Sequence, residues 1–565
     1  MSELLLEPLK YYELEGREKH KQNVRAYFEE LKTRSGVDAT KNKRTVSAYK
    51  SSLAKAEKLG KRVFWKKLLR VFLFILAGVG LILTVVGIAS EPLCIPIGVL
   101  LLAAPLLLIF LWLNKGIRQV SELLEKEKKT AEELLATAWQ EMAPLNALFH
   151  ERDAITLIEK TMPTLCFDAY YGAERERELR ERCAYEPEYD ENRSVIDTLS
   201  GEYKENPFLF ERHLIHRIGE ETYHGTLTIS WTETYRDSKG NRQIRRRTQT
   251  LHASVVKPKP FYHVDTVLKY FPQGAPDLSF TREGLYHDDK SEKQIARLVK
   301  KGEKKLKKKA AKALETGGSF TEMNNTEFEV LFDALNRDHE VQFRMMFTPL
   351  AQNNMVDLMR SETGYGDDFD FYKLKRMTVI HSDHAQAWAM DASVSHYRSY
   401  DFEEIEKKFN AFHQEYFKSV FFDFAPLLAI PMYQDKPVKS LEPLKEYRVN
   451  YTANEYETLA NRMEQSLLVH RESGTRAILK ARGVTKEKDA DSVEIRAFSY
   501  RTEPRIDLVP VLGGDGRWHS VPVHWTEFIP VMQTSHLQVK KEVKSENLGN
   551  DTASCHGLVA KLFAG

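Results

Sequence analysis

Two stretches of the chain show no alternation of polar and apolar residues. Residues 71–88 contain no ionisable side chain, Leu68 and Leu69 extend that run behind Arg70, and a second uncharged run covers 93–113. An α-helix rises 1.5 Å per residue, so about 20 residues cross a hydrocarbon layer of ~30 Å, and each run is long enough to span it. A helix in a soluble core is seldom apolar on every side for so long. Lys58, Lys61, Arg62, Lys66, Lys67 and Arg70 precede the first run, and Lys115 and Arg118 follow the second, whereas the loop 89–92 holds no Lys or Arg. Positive flanks stay cytoplasmic, which predicts a hairpin in the cell (inner) membrane with both termini in the cytoplasm and a four-residue external turn. A cleaved leader is not expected, because a long charged segment precedes the first run. Apart from Glu91 of the turn, the runs carry no Asp, Glu, Lys, Arg or His, the groups on which intramembrane ion paths usually depend. Gly80 and Thr84 form a small-x-x-x-small pair, expected to let the helices of the hairpin approach closely.

Outside these runs the pattern becomes periodic. Tyr49, Leu53, Ala56, Gly60 and Val63 recur at alternating steps of four and three before the first run. After the second, Ile117, Leu124, Ala131 and Ala138 recur every seven, with Val120 and Leu134 as companions and Glu127 and Glu141 interrupting them. Both membrane helices are therefore expected to continue as an antiparallel, coiled-coil-like stalk, with Pro144 ending or kinking its second arm. A short helix through Tyr27 and Leu31, stopped at Ser35-Gly36, caps the cytosolic body.

Beyond Pro163 the period drops to two. Leu227, Ile229 and Trp231 alternate with Thr226, Thr228, Ser230 and Thr232, residues 236–241 turn the chain, and 245–256 return it until Pro258 and Pro260 stop the ladder. Further strands are expected near 377–380, 385–390, 477–480 and 493–500, with a hairpin formed by 508–512 and 518–524 around Gly513 and Gly516. Helices are expected at 402–424 and 454–468. The sum is an α+β protein: a two-helix transmembrane hairpin continued by a helical stalk, with a large cytosolic domain of mainly antiparallel sheet. The expected division is N-terminal cytosolic helices 1–62, transmembrane hairpin 63–113, stalk 114–162, main α+β domain 163–435 and C-terminal α+β region 436–565.

Composition refines this picture. The 565 residues include 83 Lys+Arg against 81 Asp+Glu, which excludes a globally basic nucleic-acid coat and an acidic disordered chain. A mean hydropathy of −0.46 looks soluble only because it averages over the two apolar runs. The four cysteines, Cys94, Cys166, Cys183 and Cys555, form no C-x-x-C pair and no disulfide framework. Charge is concentrated at 290–312, where eleven Lys/Arg and two Glu give a local net charge of +9. Ile295, Val299, Gly302, Leu306, Ala310 and Ala313 run through that segment as a narrow apolar stripe, so it predicts a basic amphipathic helix. Lys300, Lys301, Lys304, Lys305, Lys307, Lys308 and Lys309 are its candidate contacts to an anionic lipid surface, each worth ~1 kcal/mol beside such a surface. Nucleic acid is a weaker expectation, because no aromatic or base-reading motif accompanies the charge. Arg245, Arg246 and Arg247 are a smaller candidate for phosphate or headgroups.

Catalytic patterns are scarce. The chain has no phosphate-binding G-x-x-x-x-G-K-[ST], no G-x-G-x-x-G ahead of a helix, no G-x-S-x-G and no H-E-x-x-H. The most metal-like spacing is His381-Ser-Asp383-His384 with Asp367, Asp368 and Asp370 upstream, where imidazole and carboxylate can hold a divalent ion if folding converges them. A surface loop between strands is the expected setting instead. His213, His216 and His224, the pair His519 and His524 near Asp515, and Cys166 and Cys183 imply no mechanism by spacing. No cofactor is expected.

One segment carries a likeness. Phe328-Glu329-x-x-Phe332, then Glu340-Val-x-Phe-Arg344, then Phe347-Thr348-Pro349, resembles an uncharacterised bacterial family built from an N-terminal membrane hairpin and a cytosolic α+β region. Phe343 departs from the family pattern, which favours a small residue there. The likeness covers about thirty residues and implies location and fold class, without an activity. The function expected is a membrane-anchored, cytosol-facing scaffold or binding protein, acting on a protein partner or on the inner-leaflet surface. The alternatives are an enzyme with a dispersed, metal-dependent site around Asp367, Asp368, His381 and His384, and an oligomeric channel or membrane sensor.

Overall fold

A computed structural model describes residues 3–89, 94–187, 189–236, 242–284, 292–318, 320–388, 391–435, 451–486, 490–540, 552–555 and 558–562. Residues 90–92 of the expected external turn, Glu91 among them, and 237–241 of the hairpin turn lie outside the described residues. In chain order the first elements are α1 (Pro8–Tyr11), α2 (Arg17–Ser35), α3 (Ala39–Ala89), α4 (Cys94–Leu108), α5 (Asn114–Leu148) and α6 (Asp153–Thr161). They are followed by β1 (Leu165–Phe167), α7 (Ala173–Cys183), β2 (Arg193–Tyr203), β3 (Asn206–Arg236), β4 (Arg242–Tyr270) and β5 (Ser279–Arg282). Next come α8 (Glu292–Thr316), α9 (Thr326–Phe332), α10 (Glu340–Met346), α11 (Pro349–Met359), β6 (Phe369–Leu374), β7 (Met377–Ser382) and α12 (Asp383–Trp388). The chain closes with α13 (Phe402–Leu428), α14 (Ala453–Asn461), β8 (Ile478–Lys486), β9 (Ala490–Leu512), β10 (Trp518–Lys540), β11 (Thr552–Cys555) and β12 (Leu558–Leu562). The fold is α+β, and contacts divide it into a helical unit, Lys19–Leu157 with Ala392–Glu415, and a sheet-bearing unit, Met1–Glu18 with Ile158–Asp391 and Tyr416–Gly565.

In the helical unit, α3 runs antiparallel to α4 and α5, which a single wide turn at Ile109–Leu113 joins into one rod. The two rods contain helices long and apolar enough to cross a membrane. Gly80 and Gly98 allow the close crossing: a Cβ on Gly80 would lie 2.6 Å from the Leu102 nitrogen, and one on Gly98 2.5 Å from Thr84 Oγ1. Farther along, Leu73 packs on Ile109, Leu113 and Ile117, and the Lys66 ammonium donates to the Gly116 carbonyl at 3.2 Å. The seam then buries Ala56, Val63, Ala131 and Ala138, as their spacing predicts. Leu53 departs from it and is exposed, because Ser52 occupies the inward position. Glu141, which breaks the heptad, accepts from Thr45 Oγ1 at 3.1 Å. Pro144 does not end α5, which continues to Leu148, because burial of Met142 and Leu145 holds the last turn in place. Phe28 of α2 stacks against Phe402 and Phe409, and the Tyr27 hydroxyl donates to Asp153 at 2.8 Å.

In the sheet-bearing unit, one antiparallel sheet has the order β1-β2-β3-β4-β7-β6-β5 and a second the order β11-β12-β10-β9-β8. Phe208 and Phe210 of β3 pack edge-on against Phe424 of α13. Tyr456 and Leu459 of α14 cover Leu479, Val493, Ile495 and Val539 of the second sheet. The phenylalanines of the 328–349 segment form one knot, in which Phe328, Phe332, Phe343 and Phe347 stack with one another and with Phe280 and Phe371. Arg337 crosses this knot buried, pairing with Glu329 at 2.7 Å and Glu340 at 2.7 Å while its guanidinium lies 4.3 Å from the Phe343 ring. A large residue at 343 therefore has a structural use as a platform for that charge.

Two expectations about this unit require correction. Residues 385–388 are not a strand, and 389–390 of that expectation lie outside the described residues: Asp383 opens helix α12, whose Ala- and Gln-rich run favours helix over sheet. Gln386 of that helix bonds the backbone of Thr266 in both directions, at 2.8 and 2.7 Å, and so occupies β4 in place of a strand. Nor do Pro258 and Pro260 stop the ladder: β4 stays paired with β3 through both, to Tyr270. Prolines two residues apart direct their imide nitrogens to the same edge, here the one away from β3, so no ladder bond is lost. The strands therefore reach 31 and 29 residues. At ~3.3 Å per residue such a ribbon measures ~100 Å.

Candidate functional site

The residues singled out for metal chemistry do not converge. Asp367 is fully buried in an ion pair with Arg282, whose guanidinium also donates to the Phe369 carbonyl. Asp368 instead takes His384, through Nδ1 at 2.6 Å, while Nε2 of the same ring lies 3.3 Å from Asp423 and 3.1 Å from the Ser419 carbonyl. Burial opposes charge on that ring, but the carboxylates of Asp423 and Asp368 outweigh it and raise its pKa to about 10. Tyr365 stacks on it at 4.0 Å. His381 belongs to a third centre, with Nε2 2.7 Å from Asp265 and Nδ1 3.6 Å from Asp370, and hydrogen bonding to these carboxylates raises its pKa to about 10 as well. Each imidazole thus spends both nitrogens on carboxylates, and among the described residues no group of three or more His, Cys, Asp or Glu is placed to hold a metal ion. Cys183 is pushed up to about 11 by burial, and burial raises the Cys166 thiol too, so neither favours a thiolate. His519 is paired with Asp515 at 3.0 Å inside its hairpin turn.

Sequence reasoning missed Lys373. Period two along β6 puts it on the same face as Phe369 and Phe371, and it is fully buried. Burial lowers its pKa to about 7, and its amine donates to the carbonyls of Gly274 and Lys375. A charged residue in phase with two phenylalanines was the available signal.

The two long hairpins pack on each other and leave extended outer faces. Odd-numbered residues of β3 and β4 face odd-numbered residues of β9 and β10. Gly225 admits the Pro522 carbonyl, Ile229 and Trp231 lie against Gly513 and Gly514, and Lys257 pairs with Asp507 at 2.6 Å beneath the Trp525 ring. Leu251, Val521 and Val523 are buried between the ribbons. Along this stretch the even-numbered residues consequently point outward, whereas at the base even-numbered His216 and Tyr262 share a cavity with even-numbered Phe498 and Tyr500. On β3–β4 these are chiefly Thr, Ser, His and Arg, with Thr228 and Thr250 bonded across the ribbon at 3.2 Å. On β9–β10 the sixteen even positions of 498–512 and 518–532 include no Asp, Glu, Lys or Arg. In a chain that is 29% charged, about five would be expected. Trp518 is 70% exposed and faces Leu512, while Leu508, 66% exposed, faces Pro522. At its base this face runs into a cavity of about 250 Å³ lined by His216, Tyr262, Phe498, Tyr500, Pro530 and Met532. The His216 ring lies 5.2 Å from Tyr262 and 5.4 Å from Tyr500, with Nδ1 3.2 Å from Asn192, and burial lowers its pKa, while Glu191 also lines the cavity.

Such a surface can bury apolar area at roughly 25 cal/mol per Å² but can supply little polar chemistry. Its edges are closed to strand addition by Pro504, Pro510, Pro522 and Pro530, all even-numbered and therefore deprived of donors on one side. Docking is left to the face.

The basic segment forms α8 and is amphipathic, as its pattern predicts: Leu306 is buried and Gly302 sits against Val330 of α9. The seven lysines do not act alike. Lys309 turns inward to the Leu335 carbonyl and over the Phe320 ring, and Lys307 pairs with Glu303 at 2.5 Å. Lys300, Lys301, Lys304, Lys305 and Lys308 are exposed, with Lys305 4.0 Å from Asp333. Comparison with models of known families, with curated proteins and with solved structures finds no match to this chain.

Proposed function

We propose that this chain is a membrane-anchored, cytosol-facing binding protein of a bacterial inner membrane, which presents the outer face of β9–β10 to a protein partner. The observation that carries it is the uncharged run of outward positions on that ribbon, with Trp518, Leu512 and Leu508 exposed and prolines along its edges. Exposed aromatic and aliphatic groups on a rigid element are the usual anchors of protein interfaces. Anchoring is supported by the two apolar helices, and the cytosolic side by the positive flanks around them. The metal-dependent alternative gains no observation, since His381 and His384 are committed to carboxylates, and neither does the channel, since the apolar runs lack ionisable side chains.

A photo-crosslinking residue placed at Leu508 tests the proposal in living cells, with Thr228 on the polar face as the comparison position. A discrete adduct is expected from 508 and none from 228, and Ile506→Glu should reduce the 508 adduct about tenfold. Equal crosslinking from both positions, or none from 508, would sink it.

A further inference from the structure

We infer that the outward row of α8, formed by Arg297, Lys301, Lys304, Lys308 and Lys312, docks on an anionic lipid bilayer. The row repeats at steps of four, three, four and four, which keeps it on one face of a helix over ~22 Å. The opposite stripe is already used: Leu306 is buried and a Cβ on Gly302 would meet Val330 at 2.5 Å, so the helix cannot roll its cations inward. All five row residues are exposed, and no ion pair engages any of them among the described residues. Of the nearby acids, Glu303 pairs with Lys307 and Asp333 lies 4.0 Å from Lys305, and the exposed Glu315 ends the row at its C-terminal side, which leaves the face strongly cationic. Charge complementarity therefore calls for an extended anion, and a straight row of isolated cations suits a flat surface better than a single phosphate. The helix carries no aromatic side chain on which a base could stack, which favours a lipid surface over a nucleic acid. The proposal shares with the proposed function only the anchor, which would hold this face at high effective concentration near lipid. The partner-binding face plays no part in it.

The test uses the full chain in nanodiscs of phosphatidylcholine, or with roughly a third of that lipid replaced by phosphatidylglycerol. Amine labelling of Lys301, Lys304, Lys308 and Lys312 is read by mass spectrometry against Lys375. Labelling of the row should fall threefold or more in the anionic discs, while Lys375 is unchanged, and recover in high salt, where charges are screened within about 3 Å. In a chain carrying R297Q, K301Q, K304Q and K308Q, Lys312 should label equally in both discs. Equal labelling of the native chain would overturn the proposal, as would protection by RNA in phosphatidylcholine discs with none from phosphatidylglycerol. If the chain elutes apart from the discs, the anchor itself fails, and the same labelling with free anionic vesicles decides the docking row by the same criteria.

Discussion

His384 shows how a residue that reads as a ligand becomes part of the framework. It is buried with a positive charge that Asp368 and Asp423 require, and it closes the loop before β6 onto α13. Its folded pKa of about 10 lies above the ordinary 6.5, so its stabilisation is complete below pH 6.5 and lost as pH rises through about 10. His381 has the same sign. Lys373 has the opposite sign: with a folded pKa of about 7 against 10.5, it destabilises most below pH 7, and that penalty fades as pH rises towards 10.5. His384→Gln should therefore cost roughly 3–5 kcal/mol at about pH 6 by stranding two carboxylates, with the deficit shrinking towards about pH 10. Lys373→Met should gain on the native chain at about pH 6 and lose that advantage by about pH 10. Calorimetry of the solubilised chain across this range checks both, and a difference that ignores pH would refute the assignments. Asp368 and Asp370 were legible as acids near the His381-Ser-Asp383-His384 cluster, but Asp265 and Asp423 were not, because they lie far from it in sequence.

Among the elements, the paired ribbons depend on one close approach. A side chain at Gly225 would place its Cβ 2.2 Å from the Pro522 carbonyl oxygen and 2.9 Å from Val523, so Gly225→Leu must part the two hairpins there. Amide exchange in residues 505–527 should rise about tenfold or more, while Val493 and Ile495, under α14, keep native protection. Uniform exchange along β9 would show that the ribbons do not support each other. The alternation of Leu227, Ile229 and Trp231 with threonines was a readable strand signal, and so was the turn at Gly513. Strand length was not, since proline reads as a stop until the pairing edge is known.

For the whole molecule, the testable property is topology. In a background where the four native cysteines are replaced by serine, Ser90→Cys should react with an impermeant maleimide in intact cells. Ile244→Cys should react only after permeabilisation. Labelling of both in intact cells, or of neither, would exclude the cytoplasmic orientation of the termini. At this scale the contacts group Met1–Glu18 with sheet residues and Ala392–Glu415 with the helical rods, a grouping by distance in space that no linear division into segments can express.

The sequence by itself determined the apolar runs, the helical and strand periods, the bipolar character of α8 and the α+β class, because each depends on neighbours within a few residues. Only the tertiary structure decided which carboxylate each histidine would take, that Arg282 would claim Asp367, and that one uncharged ribbon face would stay uncovered. Hydrophobicity and period are local and survive as pattern. Ion pairs, and the face a ribbon buries, depend on which distant segments arrive beside them.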